Sequence, residues 1–474
     1  MTKLLLGPII GGLSHESAYL WGRTDAPAIL FAWVGSKPDL SDAQLKATSL
    51  PLTDETGFAG VAPLTDLSPN TCYYYSLTLS DVPPDPSQGE YARFTTFPVP
   101  SERQSFSFAF GSCFRPADEN GGKIFDKVEK RRKADDLRFI LMIGDQIYAD
   151  AFDNNGIGKV ACTLQEYRQV YAYSWSRPPL RRLLENLPVF MTMDDHEVDD
   201  DWRWLDRTRQ WAYIPWWDQW LRWLQGRPPQ ERHIPLKRVQ DALQAYWEHQ
   251  GMHAPHLDLA PQINYAGQYA LPEDDPGSLA YTFTYGAAAF FVLDTRTRRV
   301  TNTKERTILG EGQWEALKSW LRAVNDTYPV KFLVTSCALL FQLWTDFPRD
   351  RWSGFRKERD QLLQFLAEEE IHGLYLLSGD LHSAHAVEAE LNCPSGRAIP
   401  LWEFCSSPFE QGPNWTSKYF HYPLRTKYVN HKANHFIKDE LNFGVVNVDY
   451  AEDGEPSVRF KVYGENGNLL AETG

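Results

Sequence analysis

Four apolar runs in this chain end in residues that can hold a cation or move a proton. Phe106 to Phe110 leads into Gly111, Ser112, Cys113 and Arg115, and Phe139 to Ile143 leads into Gly144, Asp145 and, three residues further on, Tyr148. Leu187 to Met193 leads into Asp194, Asp195, His196 and Glu197, and Gly373 to Leu377 into Ser378, Gly379, Asp380, Leu381 and His382. One strand ending in a carboxylate is ordinary. Four that deliver Asp, His, Cys and Tyr describe a shared metal-binding floor, because ligands gather beyond the carboxyl ends of strands in open α/β sheets. Asp145 is suited to bridge two cations, which sit roughly 3.5 to 4 Å apart in two-metal hydrolases. Asp195, Asp380 and His382 supply further oxygen and nitrogen donors. Cys113 as thiolate and Tyr148 as phenolate favour iron over magnesium at one position.

Each residue also has a plainer use. Asp145 would cap a helix starting at Gln146, Cys113 would fill a core as a small hydrophobe, and Tyr148 would pack. Arg296 would serve either a phosphate oxygen or a structural ion pair. The acid-rich run Asp194 to Asp201, with aromatic neighbours, admits carboxylate-pair hydrolysis of glycosides, which depends on spatial separation.

The elements needed to position these groups follow from pattern. Phe139 to Ile143 has no helical stripe and the length of a strand buried on both faces. The charged segment from Ile124 to Lys133 predicts a helix between two such strands, the grammar of a largely parallel sheet. Further helices are expected at Leu164 to Tyr173, Leu180 to Leu187, Val239 to His249, Gly312 to Val324 and Lys357 to Glu369, and a strand at Lys331 to Ser336. The Gly312 helix carries Trp314, Leu317, Trp320 and Leu321 on one face, a pattern that packs on a sheet. The tail alternates around Glu465-Asn466-Gly467 and predicts a closing hairpin.

Ahead of these lies a different kind of sequence. Short β-rich runs separated by turns fill Leu4 to Phe97, and LTDLSPNTCYYYSL resembles the corner and following strand of fibronectin type III modules. Residues 1–98 are therefore expected to form an all-β, fibronectin type III-like sandwich that packs or positions, and residues 99–474 the catalytic domain. A Trp-rich helical insertion is expected at about residues 202–260, where Trp202, Trp204, Trp211, Trp216, Trp217, Trp220 and Trp223 crowd together. Such a stripe reads as core or as a substrate-stacking wall. His249, His253 and His256 follow no metal-binding spacing and are expected at the surface or in a lid.

Composition sets limits. With 474 residues and 43% apolar content the chain can bury two or three cores. A formal net charge of −14 argues against a stable nucleic-acid partner, which needs a basic stripe, and suits a protein that gathers carboxylates around cations. Six cysteines without regular spacing read as reduced thiols. No run is long and apolar enough to span a bilayer. The N-terminal LLLGPIIGGL reads as a strand, so a cytoplasmic location is expected, or export if a targeting segment was removed.

The series GSCFR, GDQIYAD, DDHEVDDDW, LDTRTRR, LGEGQWEALKSWL and SGDLHSAH resembles the PhoD-like alkaline phosphatase/phosphodiesterase family, a branch of the calcineurin-like metallophosphoesterases. The likeness covers nearly the whole chain. It implies an α/β fold with a four-layer α/β/β/α metallophosphoesterase core and a metal cluster between its two sheets. It implies Cys113, Asp145, Tyr148, Asp195 and Asp380 as metal ligands, His382 as a further ligand or phosphate contact, and His196 in the place of the superfamily's catalytic histidine. Two or more metal ions are implied, with iron and calcium the family's association. The chain departs from the family pattern at Arg298, where tyrosine is common, and at Leu381, where some members carry arginine.

The activity so implied is hydrolysis of phosphomonoesters or phosphodiesters by metal-bound hydroxide. His196 would protonate the leaving oxygen or orient the substrate, and Arg115 and Arg296 would hold phosphate oxygens. The substrate would be a small-molecule phosphate ester or a phospholipid. The alternative is a non-catalytic binding protein on the same fold, with the sandwich and the tryptophan surface serving a partner.

Overall fold

Seven short strands open the chain: β1 (Leu4–Gly11), β2 (Ala18–Thr24), β3 (Phe31–Gly35), β4 (Gln44–Thr48), β5 (Ala59–Leu64), β6 (Cys72–Thr78) and β7 (Ala92–Thr95). They form two antiparallel sheets, ordered β1-β2-β5 and β4-β3-β6-β7. Ile10, Leu20, Ala32, Val34, Tyr75 and Phe94 share the core between them. The structure, a computed structural model, describes residues 2–118, 120–202, 210–211, 220, 224, 233–255, 262–263, 269–270, 277–301, 306–344, 351–452 and 454–474. Trp204, Trp216, Trp217, Trp223 and His256, and with them most of the expected Trp-rich insertion, lie outside the described residues.

The next strands read as unbroken apolar runs because both of their faces are covered. β8 (Phe106–Gly111), β9 (Leu137–Ile143) and β10 (Val189–Thr192) run parallel. Helices α1 (Ile124–Ala134), α2 (Leu164–Trp175), α3 (Pro178–Leu184) and α4 (Leu236–His249) flank this sheet. They share a core with Ile140, Met142, Val189 and Met191. α2 starts where it does because Thr163 and Glu166 form a reciprocal capping box.

A second sheet contains β11 (Tyr281–Tyr285), β12 (Ala288–Val292), β13 (Val330–Val334), β14 (Leu374–Ser378), β15 (Ala384–Asn392), β16 (Ala398–Cys405) and β17 (Val429–Lys438). Its order is β11-β12-β13-β14-β16-β15-β17, with parallel pairing from β12 through β16. Helices α5 (Gly310–Val324) and α6 (Arg356–Glu368) pack Leu317, Leu321, Leu362 and Leu366 with Phe291, Leu333 and Leu374 of this sheet. Aromatic rings join the two sheets: Phe190 stacks on Phe283 at 3.8 Å, and Phe108 meets Phe332 edge-on at 5.3 Å. The architecture is a mixed α/β fold with helices on the sides of the sheets away from this aromatic seam.

The expected closing hairpin is present as the last two strands of a meander, β18 (Asn442–Tyr450), β19 (Pro456–Gly464) and β20 (Leu469–Thr473), whose first strand hooks antiparallel onto β8. The meander extends the first sheet to β10-β9-β8-β18-β19-β20. One expectation needs correction. His249 and His253 are buried, not surface or lid residues. The N-terminal strands cover them: Trp21 Nε1 donates to the Glu248 carbonyl at 2.9 Å, and Arg23 donates to the Arg168 carbonyl at 3.2 Å. The His249 ring stacks on Tyr171 at 4.2 Å, and burial, then Arg23, holds it well below the ordinary histidine range.

Candidate metal centre

Strand ends from both sheets deliver the side chains to one place. β8 runs out into Ser112 and Cys113, β9 into Asp145, β10 into Asp194 and Asp195, and β14 into Asp380 and His382. Four of these residues turn sharply as they leave: Cys113, Asp145, Asp380 and His382 have φ of 61°, 56°, 65° and 51°. Few residues other than glycine occupy that region, and those that do cluster at functional sites. Gly144, at φ +101°, has no room for a side chain, since a Cβ there would lie 2.7 Å from Asp194 Cβ. No helix starts at Gln146, so Asp145 is not a helix cap.

Asp145 is the hub. Cys113 Sγ donates to its Oδ2 at 3.3 Å and Tyr148 Oη donates to the same oxygen at 3.2 Å. Tyr148 Oη also lies 3.3 Å from His382 Nε2, whose ring is oriented by the Gly412 carbonyl 2.8 Å from Nδ1. Three sets of donor atoms each fit within 4.8 Å: Cys113, Asp145 and His382; Asp145, Asp195 and His196; and Asp145, Asp194 and Asp380. Asp145 belongs to all three. Its Oδ1 is buried and makes no hydrogen bond with the protein, which is costly unless an ion or water completes it. The donor set therefore fits metal: around Asp145 one group adds sulfur and nitrogen, one adds only carboxylates, and one adds Asp195 and His196.

Electrostatics lead to the same place. Burial pushes the Asp145 carboxyl well above the usual range; His196 opposes this, and Asp195, Asp194 and Glu197 add to it. Burial, followed by Asp145 and Asp380, pushes the Cys113 thiol up. Burial, followed by Cys113 and Asp145, does the same to Tyr148. A cation reverses this logic, because it supplies the positive charge that such a cluster lacks and deprotonates a coordinating thiol. His382 is held down at about 4 by burial and by His196, so it offers a neutral ring nitrogen.

His196 packs on the Tyr148 ring at 4.1 Å, and its Nδ1 lies 2.9 Å from Asp150 Oδ1. Burial alone would lower its pKa, yet Asp150, Asp145 and Asp195 together hold it well above the ordinary value. Asp150 was absent from the expected site, although it closes the GDQIYAD segment. Glu197 was also missed: its buried carboxylate accepts the backbone N–H groups of Asp145 at 3.2 Å, Gln146 at 2.8 Å and Asp194 at 2.9 Å. Asp194, in the same acid cluster but outside the expected ligand set, has its Oδ2 buried without a hydrogen bond to the protein.

The arginines divide. Arg296 is fully buried, with its guanidinium bonded to Asp194 and 3.3 Å from Asp195 Oδ1; the structural ion pair is the use the geometry gives it. Arg115 is partly exposed and paired with Asp153. Arg351, which no motif singled out, donates from Nε to Asp380 Oδ2 at 2.7 Å. Leu381 is buried, and Arg298 packs against Gly310. The acid run Asp194 to Asp201 disperses, with Asp194 on Arg296 and Ser336 and Asp199 on Arg238.

Comparison with known proteins bears on the same segments. Residues 108–457 match the family model described as PhoD-like phosphatase. The chain is 24% identical over 354 residues to alkaline phosphatase D of Bacillus subtilis (strain 168), a match covering 68% of this chain and 52% of that protein. The chain thus spans about half the length of that curated relative. Among solved structures, one of PhoD aligns with a TM-score of 0.69 at 19% identity, covering 99% of this chain and 92% of that one. A purple acid phosphatase from yellow lupin (Lupinus luteus) seeds aligns with a TM-score of 0.57 at 12% identity, covering 98% and 73%. At these identities the structural likeness speaks for the fold.

Proposed function

The chain belongs to the PhoD-like phosphatase family, and from that premise we propose that it hydrolyses phosphate esters at a two-cation site centred on Asp145. The observation that carries this is the sharing of Asp145 among three donor groups while its Oδ1 stands without a protein partner. Cys113, Tyr148 and His382 would hold iron on one side, as their sulfur, phenolate and imidazole donors suit it. Asp194, Asp195 and Asp380 offer the oxygen donors that suit calcium. When bound, such cations supply positive charge for the phosphoryl oxygens and make water a stronger nucleophile.

The chain's own residues do the rest. Asp150 fixes the proton on His196 Nδ1, so Nε2 carries the second proton when the ring is charged and can give it to the leaving oxygen. Arg351, beside Asp380, and the partly exposed Arg115 would meet phosphate oxygens. Arg296 neutralises Asp194 and Asp195 and sets their orientation. The N-terminal sandwich is read as a fibronectin type III-like positioning module. Its three-plus-four strand arrangement supports that reading, as does Tyr73, whose hydroxyl accepts the Ser68 N–H at 2.9 Å as in a tyrosine corner.

The test is Asp145→Asn, assayed by elemental analysis and with chromogenic phosphomonoester and phosphodiester substrates. Metal content and turnover are expected to fall together with the circular dichroism unchanged. Retained turnover overturns the assignment of Asp145, and a metal-loaded wild type inert on both esters favours the binding-protein alternative.

A further inference from the structure

Two serines outside the expected ligand set meet at one sulfur. Ser407 Oγ donates to Cys113 Sγ at 3.2 Å, and Ser112 Oγ lies 3.2 Å from the same atom. All three side chains are buried. Each hydroxyl also accepts from the backbone of a candidate ligand: Ser112 Oγ takes the Asp380 N–H at 3.1 Å, and Ser407 Oγ takes the His382 N–H at 3.1 Å. A hydroxyl has one hydrogen to give, and with an N–H already on the oxygen that hydrogen is directed onward to sulfur. The Cys113 proton does not compete, because it goes to Asp145 Oδ2 at 3.3 Å. The sulfur thus stands between two O–H donors.

The fold holds both donors in place. The segment after β16 runs beside the loop after β8, where the Phe409 N–H bonds the Ser112 carbonyl at 2.8 Å and the Glu410 N–H the Cys113 carbonyl at 3.1 Å. Asn442 Nδ2 donates to the Ser407 carbonyl at 2.5 Å. A Cβ at residue 379 would lie 2.5 Å from Ser112 Oγ, so Gly379 leaves the space which that hydroxyl occupies. Burial denies both hydroxyls bulk water as an alternative partner.

A cation deprotonates a coordinating thiol, and hydrogen bonds to a metal-bound sulfur then draw electron density away from it. We propose that Ser112 and Ser407 are positioning residues that donate to the Cys113 thiolate and weaken its bond to iron, leaving the cation more positive charge for a phosphoryl oxygen. This deepens, and rests on, the reading of Cys113 as an iron ligand.

The test is resonance Raman spectroscopy of the 474-residue chain loaded with iron in H2O or in D2O, with iron content and melting temperature measured alongside. In the wild type an iron–sulfur stretch, identified by its loss in Cys113→Ser, is expected to shift between the two solvents. Ser112→Ala and Ser407→Ala should each raise its frequency and reduce the solvent shift, and the double variant should abolish the shift, with iron content close to that of the wild type. A packing role would lower the melting temperature and leave the stretch where it was, and that result overturns the proposal. So does a solvent shift that survives in the double variant. A wild type without any stretch that Cys113→Ser removes overturns the iron reading and this inference with it, whereas a Cys113-dependent stretch that ignores both serines overturns this inference alone.

Discussion

The Glu197 carboxylate accepts the Gln146 N–H at 2.8 Å from a position 51 residues further along the chain. It also takes the N–H groups of Asp145 and Asp194, so one buried side chain ties the turn after β9 to the turn after β10. The spacing of Asp145 and Asp194 is therefore braced by a third carboxylate that is occupied by backbone N–H groups.

Glu197→Ala leaves those buried donors without an acceptor. A stability loss of about 3 kcal/mol is expected in denaturant titration, accompanied by reduced metal content. Glu197→Gln should retain more of both. An unchanged unfolding midpoint in the alanine variant would sink this account of the brace.

Arg296 and Arg351 should separate when mutated. Arg296→Leu strands two buried carboxylates and is expected to cost about 3 to 5 kcal/mol, seen as a lowered melting temperature. Arg351→Ala, at a partly exposed pair, should leave melting nearly unchanged and raise KM more than it lowers kcat. The reverse ordering of melting temperatures would contradict the roles assigned.

Asp150→Asn removes the negative charge that helps keep the His196 ring protonated, and lets the amide NH2 favour the wrong tautomer. Turnover should fall about a hundredfold at unchanged metal content, with KM little altered. A parallel loss of metal would make Asp150 part of the cation site instead.

His385 gives a pH signature in stability. It is fully buried, stacked on Phe341 at 4.0 Å, and neither ring nitrogen has a hydrogen-bond partner. Burial, then His421 and Arg351, lowers its pKa from 6.5 to about 3. The unfolded chain takes up a proton near the ordinary value while the folded chain does not. Stability from this group is thus fully present above pH 6.5 and declines as pH falls toward 3, at about 1.4 kcal/mol per pH unit. His385→Leu should flatten the dependence of unfolding free energy on pH by that amount, and an unaltered slope would refute the assignment.

That the candidate ligands lie close together was legible because they follow apolar runs, and strands buried on both faces leave that mark in any sequence. Asp145, Asp195, Asp380, Cys113 and His382 each sit just past such a run. What stayed hidden depends on chain segments meeting from far apart. Glu197 looks like one more acid in DDHE until its backbone partners are seen, and Arg296 looks like a phosphate contact until Asp194 and Asp195 close around it. Arg351 carries no pattern at all. His249 ends α4 and His253 lies in the turn just after it, and the strands that cover them lie over two hundred residues earlier, so nothing local announces that they are covered. The tail showed its alternation, but pairing with β8 is a contact across more than three hundred residues that alternation does not encode.

Trp21 gives the N-terminal sandwich a further consequence. Its ring is fully buried among Trp175, His249 and His253, and its indole N–H is spent on the Glu248 carbonyl. Removing residues 1–98 would strip α2 and α4 of that cover and present bare tryptophan and histidine faces to water. The border that composition draws at residue 98 is a change of architecture and not a cleavage plane, so a shortened chain beginning there should aggregate before it can be assayed.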